Sequence, residues 1–197
     1  MTRRLQKSTL QQVALAAMVF AFSAGACAGP ATATATQDQQ QSDSQQDKHN
    51  LSKQDKKWLS NAHQINVAEV KAGQLALDRA HVNAVLRVAQ TLINDHRKLD
   101  TKVTKTAKKL GVELPPAPSD KQQATVEFLS TKQGMTFDKE WAKQEIAAHI
   151  AAITKTKTEI TEGSSKKVKK LAKKTVKVLQ KHLSLLRTAA GRITGGP

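Results

Sequence analysis

The sequence predicts an all-α protein: an up-down-up-down bundle of four long helices, with a short extra helix in the connection between the second and third. Three observations predict it. Four long stretches place apolar residues every third or fourth position, the spacing of a helix with one buried face. The turns between paired stretches are short, which favours antiparallel neighbours. Aromatics are only 3% of the 197 residues, with two Trp and no Tyr, so the core must be built from Leu, Val, Ile and Ala, which let helices approach closely. With 39% hydrophobic residues the chain can form one domain with a real core.

The first 50 residues read as an address and a tether. Arg3, Arg4 and Lys7 precede a short apolar run over residues 13–22 and then the small residues SAGACAG. Charge, short apolar core and small-residue exit describe a secretory signal peptide over residues 1–28, cleaved after Ala26 or Ala28. The run is too short to span a bilayer, so the mature chain is expected to have no transmembrane helix. Cys27 offers the alternative of a lipid anchor, but Ala24 stands where a lipobox wants a bulky Leu, and soluble export is the preferred reading. One cysteine also excludes a disulfide framework within the chain and a multi-cysteine zinc site. The linker 29–50 has no large apolar side chain between 31 and 50 and is expected to be disordered. The folded domain is expected over 51–192, followed by a flexible tail, 193–197.

The first long helix begins at Ser52, an N-cap with Asp55 three residues on. Its seam is Trp58, Ala62, Ile65, Glu69, Ala72 and Ala76, and it ends between residues 79 and 83 without a Gly or Pro. The second has the seam Val85, Ala89, Leu92, His96, Leu99, Val103, Thr106 and Leu110, and stops at Gly111, a C′ glycine. A loop with three prolines follows, and Ser119 with Gln122 caps a short helix over about 120–131. The third long helix starts near Phe137-Asp138, with Ala142, Ile146, His149, Ile153, Thr156 and Ile160 as its seam, and breaks at Gly163-Ser164. The fourth carries Val168, Leu171, Thr175, Val178, His182, Leu185 and Ala189 ahead of Gly191.

Each long helix thus has one ionisable group in the middle of an apolar stripe: Glu69, His96, His149 and His182. Counted from the turns, Glu69 and His96 differ in level by roughly 4–5 Å at 1.5 Å per residue, and Glu145, one turn before His149, matches the level of His182. The groups can therefore meet in one layer. Two readings follow. In the first they form a buried hydrogen-bond network, Glu69 pairing with protonated histidine and fixing helix register. In the second, Glu69, His96, Glu145, His149 and His182 hold a divalent transition metal such as iron, manganese or zinc. The first is the commoner fate of such residues. Asp95 is expected either to hold the ring of His96 or to face water. His49, His63 and His81 show no comparable clustering and read as surface residues.

The residues Ala68-Glu69, Ala89-Gln90 through Asp95-His96, Gly134 to Phe137-Asp138, His149 and His182-Leu183 resemble the pattern of a bacterial secreted family, domain of unknown function 4142, whose members are labelled outer membrane proteins. The resemblance runs over about residues 51–190. Trp141 stands where the family usually has Tyr, and the Asn-Pro turn before the second helix is absent. The resemblance implies a ferritin-like bundle and no established activity. The di-iron pattern of such bundles needs Glu three residues before a His. Ile93 and Leu179 occupy those places before His96 and His182, so that pattern is missing.

Charge supplies the remaining clue. Lys and Arg number 32 against 16 acids, a net charge of +16. From Ser164 onward there are ten cations and no acid, with Lys166, Lys167, Lys169, Lys170, Lys173, Lys174 and Lys177 forming a dense run. The bland reading is a solvated face. The functional one is an anion-binding face for lipid headgroups, lipopolysaccharide or cell-wall polymers. No aromatic stacking platform supports sequence-specific nucleic-acid binding. Catalytic nucleophile sets, phosphate-cradling glycine loops and zinc-protease motifs are absent. The expectation is an exported, non-catalytic envelope protein, with a metal-binding or redox bundle as the alternative. The sequence does not fix an oligomeric state.

Overall fold

The structure, a computed structural model, describes residues 51–195. Residues 1–28, expected to be a signal peptide and holding Cys27, residues 29–50, expected to be a linker, and the last two residues lie outside the described residues.

Helix α1, Lys53–Arg79, opens on the expected capping box: the Asp55 amide donates to Ser52 Oγ at 3.1 Å, and the Ser52 amide donates to Asp55 Oδ2 at 2.7 Å. Helix α2, Asn83–Leu110, ends at Gly111, whose φ of 69° is the left-handed conformation that only glycine adopts without strain. Its other end has no cap of its own. Instead Asp138, from a distant helix, accepts the backbone N–H groups of His81 and Val82 at 3.1 and 2.8 Å. Helix α3 is the short one, Asp120–Ser130, with Ser119 and Gln122 as its capping box. Helix α4, Gly134–Glu162, starts three residues earlier than the sequence pattern indicates. Helix α5, Lys166–Thr194, runs through Gly191, and Ile193 is buried in the core, so the chain remains helical into the segment expected to be a tail.

The four long helices are the expected ones, but their order of directions is corrected. The start of α1 lies against the end of α4, where Trp58 Nε1 donates to Thr156 Oγ1, and the end of α1 lies against the start of α4 through Asp138. The end of α2 packs with the start of α5, Val103, Ala107 and Leu110 against Val168 and Leu171. The topology is therefore up-down-down-up. The reason lies in residues 111–133, which form a crossover and not a tight turn. Gln64 donates to the carbonyl of Ala117, and Arg79 to that of Lys132, so the crossover with α3 climbs the flank of α1 from base to top. One such long connection is a recognised variant of four-helix bundles.

The core comes in two apolar clusters. The upper one contains Leu92, Phe137, Trp141 and Leu186, and the lower one Trp58, Leu59, Val103, Leu110 and Val168. The seams differ in detail from the simple 3–4 alternation. Asn66, Ala107, Ala152, Leu179 and Leu186 are buried where Ile65, Thr106, Ile153, Val178 and Leu185 were expected and are only half-buried. A straight helix drifts about 20° per heptad from a 3.5-residue repeat, so over 27 to 29 residues the buried stripe slides by one position.

At the base, Asp55 also reaches the start of α5, accepting the Ser165 amide at 3.1 Å and the Ser164 amide at 3.3 Å. Beside it Glu159 is fully buried and accepts from Gln54 Nε2 at 3.2 Å. Gly163 is required here by space: a Cβ would collide with the carboxyl group and the carbonyl oxygen of Glu159. Burial would raise the Asp55 carboxyl, but hydrogen bonds from Ser52, Glu159 and Ser165 outweigh it and hold it below the usual range. Glu159 is pushed up to about 8, by burial first and then by Asp55.

Candidate metal centre

Between the two apolar clusters lies a polar layer. His96 from α2, His149 from α4 and His182 from α5 are 0%, 1% and 0% exposed. Their rings form a triangle with centroids 5.2 to 5.6 Å apart. Glu69 from α1 and Glu145 from α4 close its flank, both buried. All five residues singled out in the sequence are thus brought together. The up-down-down-up order preserves this because mid-helix positions stay at mid-height whichever way a helix runs.

Each ring is held by one nitrogen. His96 Nδ1 lies 2.9 Å from Asn66 Oδ1, His149 Nδ1 2.9 Å from the carbonyl of Glu145, and His182 Nε2 3.2 Å from Asp95 Oδ2. The acceptors fix these nitrogens as N–H donors. The opposite nitrogens, His96 Nε2, His149 Nε2 and His182 Nδ1, are buried with no hydrogen-bond partner from the protein. So are one oxygen each of Glu69 and Glu145. The three histidines offer ring nitrogens within 4.8 Å of one another, and Glu69, Glu145 and His149 form a second such set sharing His149.

The electrostatics run against the charged Glu69–histidine pairing expected from the sequence. Burial pushes His96 well below the usual histidine range, and its two neighbouring rings push it further. Burial also lowers His149 against the pull of Glu145, and His182 against that of Asp95. Glu69 is raised well above the usual carboxyl range by burial, then by the charge and hydrogen bond of Glu145. Burial disfavours charge on the rings and on the carboxyl alike, and Glu69 stands 3.9 Å from both His96 Nε2 and His149 Nδ1, too far for a hydrogen bond. Desolvation wins at every ring. Asp95 is also reassigned: it holds His182 and not His96.

Asn66 escaped the sequence reading because polar residues on a helix usually face water; a buried Asn one position off an apolar seam was the available signal. His63 pairs with Asp100 at 2.7 Å, outside the layer, and His81 is exposed. On α5, Lys166, Lys170, Lys173, Lys174 and Lys177 are exposed, whereas Lys167 and Lys169 are half-buried and Lys169 Nζ lies 3.4 Å from the carbonyl of Thr161. Among the described residues no helix is long and apolar enough to cross a membrane.

The sequence profile of a domain of unknown function, DUF4142, matches residues 40–188. The chain belongs to this family. Its fold is similar to that in a crystal structure of a DUF305 fragment from Deinococcus radiodurans, with a TM-score of 0.65 at 16% identity, covering 72% of this chain and 98% of that one. No curated protein matches. DUF4142 membership carries the helical domain and leaves its activity to be argued from the site.

Proposed function

We propose that this DUF4142 protein binds a divalent transition metal through His96, His149 and His182, with Glu69, 3.9 Å from the unpartnered His96 Nε2, as the carboxylate to complete the set. One observation carries the reading: three buried imidazoles each have one nitrogen oriented by a protein acceptor and the other left without a partner. Buried polar atoms without partners are rare and costly, and here five of them share one layer. An outer hydrogen bond that fixes the tautomer and presents the inner nitrogen is how protein-bound metals hold their histidines. Nitrogens within 4.8 Å of one another can sit no more than about 2.8 Å from a common centre, so inward shifts of about 0.7 Å reach the zinc–nitrogen distance. Imidazole in excess over carboxylate favours zinc, iron, copper or nickel over manganese. The ion's charge would favour the ionised form of Glu69, which supplies the neutralising carboxylate. One long crossover is the kind of connection ferritin-like bundles use, but the ligand set here is its own.

Isothermal titration of the chelator-treated protein with zinc tests this. One equivalent should bind, and His96→Ala, His149→Ala and His182→Ala should each weaken it at least tenfold. Equal affinity in all three variants would refute it.

A second reading has its own observation: the exposed lysines of α5, on a helix with no acid before Glu162 is reached at the end of α4. In it the chain is exported, by cleavage of residues 1–28 or by acylation at Cys27, and this face meets an anionic envelope surface. Each cation close to an anionic membrane contributes up to about 1 kcal/mol, screened by salt.

A further inference from the structure

A site with all three histidines buried needs a way in. The structure contains a cavity of about 20 Å³ between α1, α4 and α5, room for one water. Its inner wall is Asn66, Ala152 and Leu179. Each adjoins the metal layer: Asn66 bonds His96, Ala152 is three residues after His149, and Leu179 three before His182. The outer wall includes Asn61, half-buried, and Lys155, exposed, so the space opens toward solvent. Along it stands Thr175, buried at 6% exposure, whose Oγ1 has no hydrogen-bond partner from the protein. An unpartnered hydroxyl lining a space the size of a water is a water site. A second groove, lined by Val67, Val70, Arg97 and Asp100, also touches Asn66 but runs along α1 and α2 only.

We propose that the cavity between α1, α4 and α5 is the route by which an ion and its water exchange with the histidine layer, with Thr175 Oγ1 as the polar foothold within it. This rests on the metal reading above. The order of events is simple. An ion that sheds all but one water at the mouth beside Asn61 is steadied by Thr175 Oγ1 and passes between Ala152 and Leu179 as the walls part, and Asn66 keeps its hydrogen bond to His96 throughout.

Two variants alter the route without touching a ligand. Thr175→Val removes the hydroxyl at nearly constant shape, and loss of an unpartnered buried group should leave the melting temperature unchanged or higher. Ala152→Val narrows the inner wall. Stopped-flow zinc uptake, and zinc removal by excess chelator, should each slow at least tenfold in both, by equal factors. The equilibrium Kd should stay within twofold, because a narrowed route changes the barrier and neither end state. Val67→Phe, in the other groove, should leave both rates unchanged. Wild-type rates in Thr175→Val and Ala152→Val, or slowing confined to Val67→Phe, would overturn the route while leaving the site standing. Absence of equilibrium zinc binding by the wild type would overturn the site itself and the route with it. Should Ala152→Val fail to fold, Thr175→Val alone decides.

Discussion

Glu159→Gln should flatten the stability of the bundle between pH 4.5 and pH 8. Glu159 is fully buried at the base, next to Asp55, with Gln54 donating to it and Lys169 as the cation whose charge bears on it. Its carboxyl is raised from 4.5 to about 8. A raised folded value means that its stabilisation is fully present below about 4.5 and is lost as pH rises through about 8. At 1.36 kcal/mol per pK unit the whole span corresponds to about 5 kcal/mol, and water reaching the end of the bundle reduces this to about 2–4 kcal/mol. Asp55 acts oppositely: lowered from 3.8, it contributes stability above that value which is lost in stronger acid. Gln keeps the size of Glu159 and can donate to Asp55 without ever ionising. Urea unfolding of wild type and Glu159→Gln at half-unit steps from pH 4.5 to 8.5, with chelator present, measures the difference. The three histidines are common to both proteins and cancel. Wild type should fall relative to the variant by about 2–4 kcal/mol across the window; parallel curves would refute the reasoning.

Asp138→Ala should destabilise the domain by about 2 kcal/mol in urea unfolding, because the His81 and Val82 amides lose their acceptor, and Asp138→Asn should recover part of it. Gly73→Ala should cost about 1 kcal/mol net: a Cβ there would come within 2.7 Å of Ile93 Cγ1, and the overlap exceeds the helix-propensity gain. Binding to anionic vesicles at low salt should fall at least tenfold when Lys170, Lys173, Lys174 and Lys177 are changed to Gln; equal binding by that variant would reduce the face to solvation.

The helices and the site were legible in the sequence to different depths. A mid-stripe Glu or His is visible because a 3–4 spacing places it among Leu and Val, so Glu69, His96, His149 and His182 could be read off directly. Helix ends marked by Ser52, Gly111 and Ser119 were equally plain, since caps are local chemistry. Direction was not. A connection such as 111–133 can fold back or cross over with the same residues, and the contacts that decide it, Gln64 to Ala117 and Arg79 to Lys132, are long-range. Charge state was also hidden. That Glu69 shifts up and the rings shift down follows from how completely the bundle excludes water, and spacing says nothing about that. Asp55 with Glu159 was missed for the same reason: two carboxyls 104 positions apart meet only once α1 and α4 are antiparallel.

The measurement that tests the site most directly is an anomalous-difference map at the zinc edge from crystals of the protein soaked in zinc. A single strong peak should lie inside the bundle, within about 2.1 Å of His96 Nε2, His149 Nε2 and His182 Nδ1, with Asn66, the Glu145 carbonyl and Asp95 still holding the outer nitrogens. A peak only at His63 and Asp100, or an ordered water in place of the ion, would contradict the metal reading and return the layer to a structural role.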